Sequence, residues 1–169
     1  MVRNILRGLT GPDGERANLN TAKKAPGLPY LALPVGSIRL LKFEPAPASR
    51  GHWSIEVYQR DYLESNGPKY FALSYVWGDT SNLGRHRIKI WINGSEHDVA
   101  VTKNLCEALR QFERTHSKTV STEPKYIWVD ALCINQGDTS EKNHQVASMI
   151  EIYKNASETI CWLGVARRN

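Results

Sequence analysis

The stretch Tyr126-Ile127-Trp128-Val129-Asp130-Ala131-Leu132-Cys133-Ile134, followed by Asn135-Gln136-Gly137-Asp138 and a segment opening near Glu141, decides the fold class of this chain. Its apolar run is nearly continuous, as expected for a strand buried on both faces of a sheet. The loop from Asn135 to Thr139 leads to a predicted helix whose Val146, Met149, Ile150 and Tyr153 form an apolar stripe at helical spacing. Thr159 to Leu163 then reads as a short strand ended by Gly164. Strands separated by helices in this half predict an α/β domain with some parallel sheet, decorated by a hairpin.

Upstream, Tyr70 to Trp77 is a second buried-strand candidate with β-branched and aromatic bias. Ile88, Ile90 and Ile92 alternate with Lys89 and Trp91 and run into Asn93-Gly94, the strongest short hairpin signal, with His97 to Val101 returning. This hairpin is expected to be a solvent-facing accessory. Thr102 is suited to cap a helix that presents Leu105, Ala108, Leu109 and Phe112 on one side. Ser117 to Pro124 is polar and loop-like. Nearer the amino terminus, Ile38, Leu40, Leu41 and Phe43 suggest a strand stopped by Pro45 and Pro47. Trp53, Ile55 and Val57 alternate with Ser54, Glu56 and Tyr58, the period of a half-buried strand. Residues 1–36 carry Pro12, Pro26, Pro29 and Pro34 among several glycines and read as a poorly ordered or extended arm. Residues 37–166 make the domain and 167–169 a tail.

With 169 residues, the chain suits a single domain with a real core. Five Trp, seven Tyr and three Phe supply apolar surface that disordered chains lack. No apolar run approaches the roughly 18–20 residues of a membrane span, and Met1 to Leu6 is too short an apolar stretch for a secretory signal. Cys106, Cys133 and Cys161 each lie among apolar residues, the pattern of buried free thiols in a reducing compartment, and a cytoplasmic location is expected. Asn93-Gly94-Ser95 and Asn155-Ala156-Ser157 match the glycosylation acceptor pattern and are read as chance matches. The net charge of +5 sits at the ends: residues 1–30 hold five basic and two acidic residues, and Arg167 and Arg168 supply the rest. The domain between them is balanced, so a nucleic-acid partner is not expected.

Ligands of open parallel sheets bind beyond the carboxyl ends of the strands. Two such ends stand out: Ser74-Tyr75-Val76-Trp77-Gly78-Asp79, and the opening stretch from Asp130 to Asp138. They offer an aromatic face at Trp77, close backbone approach at Gly78, and polar groups at Ser74, Tyr75, Asp79, Asp130, Asn135 and Gln136. Each has a bland alternative: core packing for Trp77, backbone-amide binding for Asp130, turn formation for Asn135 and Gln136. Glu141 either completes a capping box begun at Asp138 or faces a ligand at the helix start. Glu141 and His144 form an E-x-x-H pair, too little for a metal site by itself, and His52, His86, His97 and His116 add no metal spacing. No metal or cofactor is expected.

These blocks resemble the fungal heterokaryon-incompatibility (HET) domain. The resemblance covers about Ser37 to Gly164 and rests on Ser37-Ile38-Arg39-Leu40-Leu41, on Tyr70 to Asp79, and on Ile127 to Gln136 with Glu141, Gln145-Val146, Met149, Ile152-Tyr153, Ala156 and Trp162-Leu163-Gly164. It implies a fungal protein with a role in programmed cell death when unlike hyphae fuse. HET domains are in turn distantly similar to TIR domains, flavodoxin-like α/β modules, several of which hydrolyse NAD once assembled. That second likeness implies a TIR-like sheet flanked by helices with the hairpin inserted. It also implies Glu141 as the catalytic carboxylate, Ser74, Tyr75, Trp77, Gly78, Asp79, Asp130, Asn135 and Gln136 as substrate contacts, and NAD as substrate rather than cofactor. Activity would then call for self-association, and an upstream sensor protein or domain is a candidate partner. The alternative is a non-enzymatic, self-associating signalling domain.

Overall fold

A computed structural model of the chain describes residues 28–46, 51–78, 83–117 and 125–165. In chain order the elements are β1 (Ser37–Glu44), β2 (His52–Gln59), α1 (Arg60–Ser65), β3 (Tyr70–Tyr75), β4 (His86–Ile92), β5 (Ser95–Val101), α2 (Lys103–His116), β6 (Lys125–Trp128), α3 (Asp130–Cys133), α4 (Thr139–Asn155) and β7 (Glu158–Trp162). The strands form one sheet in the order β5-β4-β2-β1-β6-β3-β7. β6, β3 and β7 run parallel. β1 lies antiparallel to both β6 and β2, β2 is parallel to β4, and β4 and β5 are an antiparallel hairpin. The α/β expectation holds, in a sheet of mixed direction.

Strand alternation explains the layers. Phe43 pairs directly with Trp53, and Leu41 and Phe71 both lie opposite Ile127, so these side chains share one face. There Phe112 of α2 meets Phe43, Trp53 and Phe71. Trp128 and Tyr70 alternate to the other face, where Tyr153 of α4 packs edge-on to Trp128 and the Tyr70 hydroxyl donates to the Ile152 carbonyl at 2.7 Å. β1, near the middle of the sheet, is buried without interruption from Ser37 to Leu41. The Thr102 Oγ1 accepts from the Leu105 amide and starts α2 as predicted.

Four expectations need correction. The apolar run from Tyr126 to Ile134 is not one strand: pairing stops at Trp128, and Leu132 and Cys133 donate back to the Val129 carbonyl as a helical turn. A short apolar run carries no period that tells the two apart. The hairpin is not an accessory, because Ile88, Ile90, Ile92, Val99 and Val101 are buried and Ile90 pairs with Trp53. On α4, Val146 and Ile150 are exposed, and Gln145 and Ile152 face inward, with Met149 and Tyr153 partly buried. Among the thiols, Cys106 and Cys133 are buried, but Cys161 is exposed on β7, which pairs only with β3. Residues 28–36 form no strand, yet Leu28 packs on the core and Tyr30 is half-buried. Residues 1–27, 118–124 and 166–169 fall outside the described residues, and with them most of the expected arm, most of the Ser117–Pro124 loop and the tail. No helix among the described residues is long and apolar enough to cross a membrane.

The hairpin turn has Asn93 at φ 51° and Gly94 at φ 80°, both in the left-handed region. A Cβ at Gly94 would meet nothing within 4 Å, so the cost of a side chain there is purely conformational. Gly94→Ala should therefore destabilise the domain by about 1–2 kcal/mol and lower the thermal midpoint by a few degrees. An unchanged midpoint in a calorimetric scan would refute this account of the turn.

Candidate functional site

Because β3, β6 and β7 are parallel, their carboxyl ends share one edge of the sheet. Trp77, just beyond β3, and Asp130, just beyond β6, meet there: the Trp77 Nε1 donates to Asp130 Oδ2 at 2.8 Å. The Ala131 amide donates to Oδ1 at 2.7 Å, and the Tyr75 phenol faces this carboxylate. Burial raises the Asp130 pKa, and Trp77, the Ala131 amide and the nearby Tyr75 pull against it. Burial and the facing carboxylate push the Tyr75 phenol well above its ordinary value. Trp77 stays 43% exposed while its ring N–H is engaged. Ser74 is half-buried on β3, beside Cys161.

A residue that sequence reasoning missed holds this edge together. Asn104, in the first turn of α2, donates through Nδ2 to the Val76 carbonyl at 2.6 Å and accepts from Trp162 Nε1 at 2.8 Å. It thus ties the end of β3 to the end of β7. Gly78 and Gly164 flank it with φ of 75° and 99°, and a Cβ on either would lie 3.8–3.9 Å from the Asn104 side chain. Room exists there, so the backbone conformation is what asks for glycine. A lone Asn in a helix gives no sequence signal for such a clip.

Glu141 has a different setting. Its carboxylate forms a two-pronged pair with Arg39, Nη1 to Oε1 at 2.5 Å and Nη2 to Oε2 at 3.0 Å. The Asn135 amide adds a bond to Oε1 at 2.7 Å. Both side chains are nearly buried, at 2% for Arg39 and 9% for Glu141. Nη1 and Nη2 donate further to the carbonyls of Cys133 and Leu31, and the Tyr30 ring centroid lies 4.5 Å from the guanidinium carbon. Half of the expected capping box forms: Asp138 Oδ1 accepts from the Glu141 amide at 3.0 Å. The return bond does not, because the Asp138 amide donates to the Asn135 carbonyl and the Glu141 carboxylate reaches across to β1. Register explains the reach, since Leu41 pairs with Ile127 and Arg39 therefore lies level with Val129, next to the α3–α4 turn.

Asn135 and Gln136 serve the loop between the two carboxylates. The Asn135 Oδ1 accepts from the Gly137 amide at 3.0 Å, and the Gln136 Nε2 donates to the Asp130 carbonyl at 2.9 Å. The structure thus brings Ser74, Tyr75, Trp77, Gly78 and Asp130 to one edge, with Asn135, Gln136 and Glu141 on the adjoining loop and helix start. Asp79 lies outside the described residues. His144 turns to the Ser140 carbonyl, and among the described residues no three His, Cys, Asp or Glu side chains cluster as a metal site.

Removing one partner of a buried pair strands the other charge, so Glu141→Ala should cost about 3–5 kcal/mol. Arg39→Met combined with Glu141→Leu should restore most of that loss. A wild-type urea midpoint for Glu141→Ala would show that the pair does not anchor the fold. For Asp130, the raised pKa means that the folded state holds the proton more tightly than the unfolded chain. Wild type should therefore lose stability relative to Asp130→Asn as pH climbs from the ordinary value of 3.8 through the carboxylate range. Parallel urea titrations from about pH 3 to about pH 7 read the trend, and a pH-independent difference would contradict it.

Residues 70–169 match the family model described as heterokaryon incompatibility protein (HET). Over 138 residues, 80% of this chain, the sequence is 34% identical to heterokaryon incompatibility protein 6, OR allele, of Neurospora crassa. The aligned region makes up 20% of that relative, so the chain spans about a fifth of its length. No solved structure matches. By both the family model and the relative, the chain belongs to the heterokaryon incompatibility (HET) family.

Proposed function

We propose that this chain is an effector domain of fungal heterokaryon incompatibility, acting in the cytoplasm in programmed cell death. We further propose that, once assembled with copies of itself, it cleaves the nicotinamide–ribose bond of NAD at the carboxyl edge of its parallel strands. The incompatibility role rests on family membership and on the relative from Neurospora crassa. The chemical reading is carried by one observation. A partly exposed Trp77, its N–H fixed by Asp130, stands at the strand ends beside the loop that leads to Glu141. The TIR-like character of the fold is part of the same proposal.

Breaking the bond from the ribose carbon to the pyridinium nitrogen sends its electron pair to that nitrogen, and neutral nicotinamide leaves. Positive charge develops on the ribose carbon and ring oxygen, which a nearby carboxylate stabilises. Water then adds to that carbon and gives up a proton. Because the leaving group departs neutral, no strong general acid is needed, and the absence of a histidine from the strand ends is no obstacle. An aromatic face such as Trp77 suits the cationic nicotinamide ring.

A second reading, a non-enzymatic domain that signals by self-association, is favoured by the state of Glu141. Both of its oxygens are taken by Arg39, with the Asn135 amide added. Concentrated domain incubated with NAD should release nicotinamide, and Glu141→Gln and Asp130→Asn should each cut the rate by about a hundredfold. No release from wild type under assembling conditions would leave the scaffold reading. Undiminished release from Glu141→Gln would remove Glu141 from the chemistry.

A further inference from the structure

We propose that Leu28–Leu31 is an autoinhibitory strap, held over the Arg39–Glu141 pair so that the carboxylate cannot reach a ligand until the strap lifts. The proposal rests on the NAD-cleavage reading for its functional consequence, although the cover itself is a matter of geometry.

The strap is fastened at a few points to separate parts of the fold. The Tyr30 hydroxyl donates to the Leu132 carbonyl at 2.6 Å, one residue before Cys133, whose carbonyl accepts from Arg39. The Tyr30 ring covers the guanidinium, and the Leu31 carbonyl accepts from Arg39 Nη2 at 2.7 Å. Asn93 in the β4–β5 turn reaches the Pro29 carbonyl through Nδ2 at 3.1 Å. Leu28 adds a partly buried apolar contact.

The same segment is poorly committed to the fold. It pairs with no strand, and Pro29 has no N–H with which to do so. Leu31 is 68% exposed and Val35, just beyond, 98% exposed. Few buried contacts and no ladder mark a segment that opens before the rest of the domain does. Its position is the functional point. Of the contacts that close off the buried pair, the Leu31 carbonyl and the Tyr30 ring come from outside the sheet and helices. With the strap in place, Arg39 has no free donor direction toward Leu31 and water is kept from one side of the guanidinium. Lifting it admits water, and a solvated ion pair exchanges partners far more readily than a buried one. Glu141 then becomes available to a ribose bound at the neighbouring loop. The two states of Glu141, locked architectural ion and ligand-facing carboxylate, thus become two positions of one short segment.

The test uses the whole 169-residue chain with Tyr30→Ala or Tyr30→Phe. The first readout is modification of Arg39 by phenylglyoxal, located by mass spectrometry, with exposed Arg87 as internal control. Tyr30→Ala loses a hydrogen bond and a cation–π contact and should raise Arg39 modification about tenfold. Tyr30→Phe keeps the ring and should raise it less. Unchanged Arg39 modification in folded Tyr30→Ala overturns the strap; if that variant does not fold, an unchanged Tyr30→Phe does so. The second readout is nicotinamide release. Faster release accompanying greater Arg39 modification supports the proposal. Greater modification with release equal to wild type overturns the inhibitory role. Greater modification with no release from any of these proteins leaves the cover standing and overturns NAD cleavage instead.

Discussion

The buried ion pair between Arg39 and Glu141 is the contact on which the arrangement of this domain turns. Taking a guanidinium and a carboxylate out of water costs several kcal/mol per ion. That cost is met only when geometry is good and every remaining donor and acceptor finds a partner. Here the two-pronged contact supplies the geometry, and the carbonyls of Cys133 and Leu31 and the amide of Asn135 supply partners. The pair joins β1 to the start of α4 beside the α3–α4 turn, so it draws together residues 102 positions apart in sequence. Arg is suited to this task, since its planar fork matches a carboxylate and its charge survives burial.

The orientation of α4 follows from that anchor. Glu141 and Gln145 are one helical turn apart, and Gln145 donates to the Ser37 carbonyl at 3.0 Å. Farther along, the Ile152 carbonyl accepts from Tyr70, and the Tyr153 hydroxyl donates to the Leu73 carbonyl. A row of polar contacts, each directional, thus sets which face of α4 meets the sheet. The non-directional pull of Val146 and Ile150 loses to it, and both remain in solvent. Directional contacts decide such contests because a buried charge or amide without a partner is worse than an exposed methyl group.

This contest also explains what was legible in the sequence. The strands from Ser37, His52, Tyr70 and His86, the Asn93-Gly94 turn and the Thr102-capped helix all announce themselves by period, turn chemistry or cap, which are local properties. The polar edge at Trp77 and Asp130 was legible because strand ends and the residues after them are local too. Three things were not. The end of β6 at Trp128 hides in an unbroken apolar run that suits strand and helix equally. The inward face of α4 depends on partners in β1 and β3 that no helical wheel contains. Asn104 looks like any helix-surface amide until β3 and β7 are brought beside it. The first miss is a local ambiguity, and the other two are long-range contacts that no local pattern contains.

The two carboxylates near the candidate site hold their charge by different means, and that difference separates their roles. Asp130 accepts from the neutral donors Trp77 and Ala131, with the Tyr75 phenol nearby, and burial raises its pKa. It can polarise or orient a neighbouring group without any other charge moving. Glu141 is matched by a full opposite charge, and the Arg39–Glu141 pair as a whole presents little net field to its surroundings. A developing cation on a ribose would feel Glu141 only after Arg39 had been given another partner or more water. Chemistry at Glu141 therefore requires a conformational step that chemistry at Asp130 does not. On the proposed reading, a carboxylate held inside a structural ion pair would act only once that pair had opened.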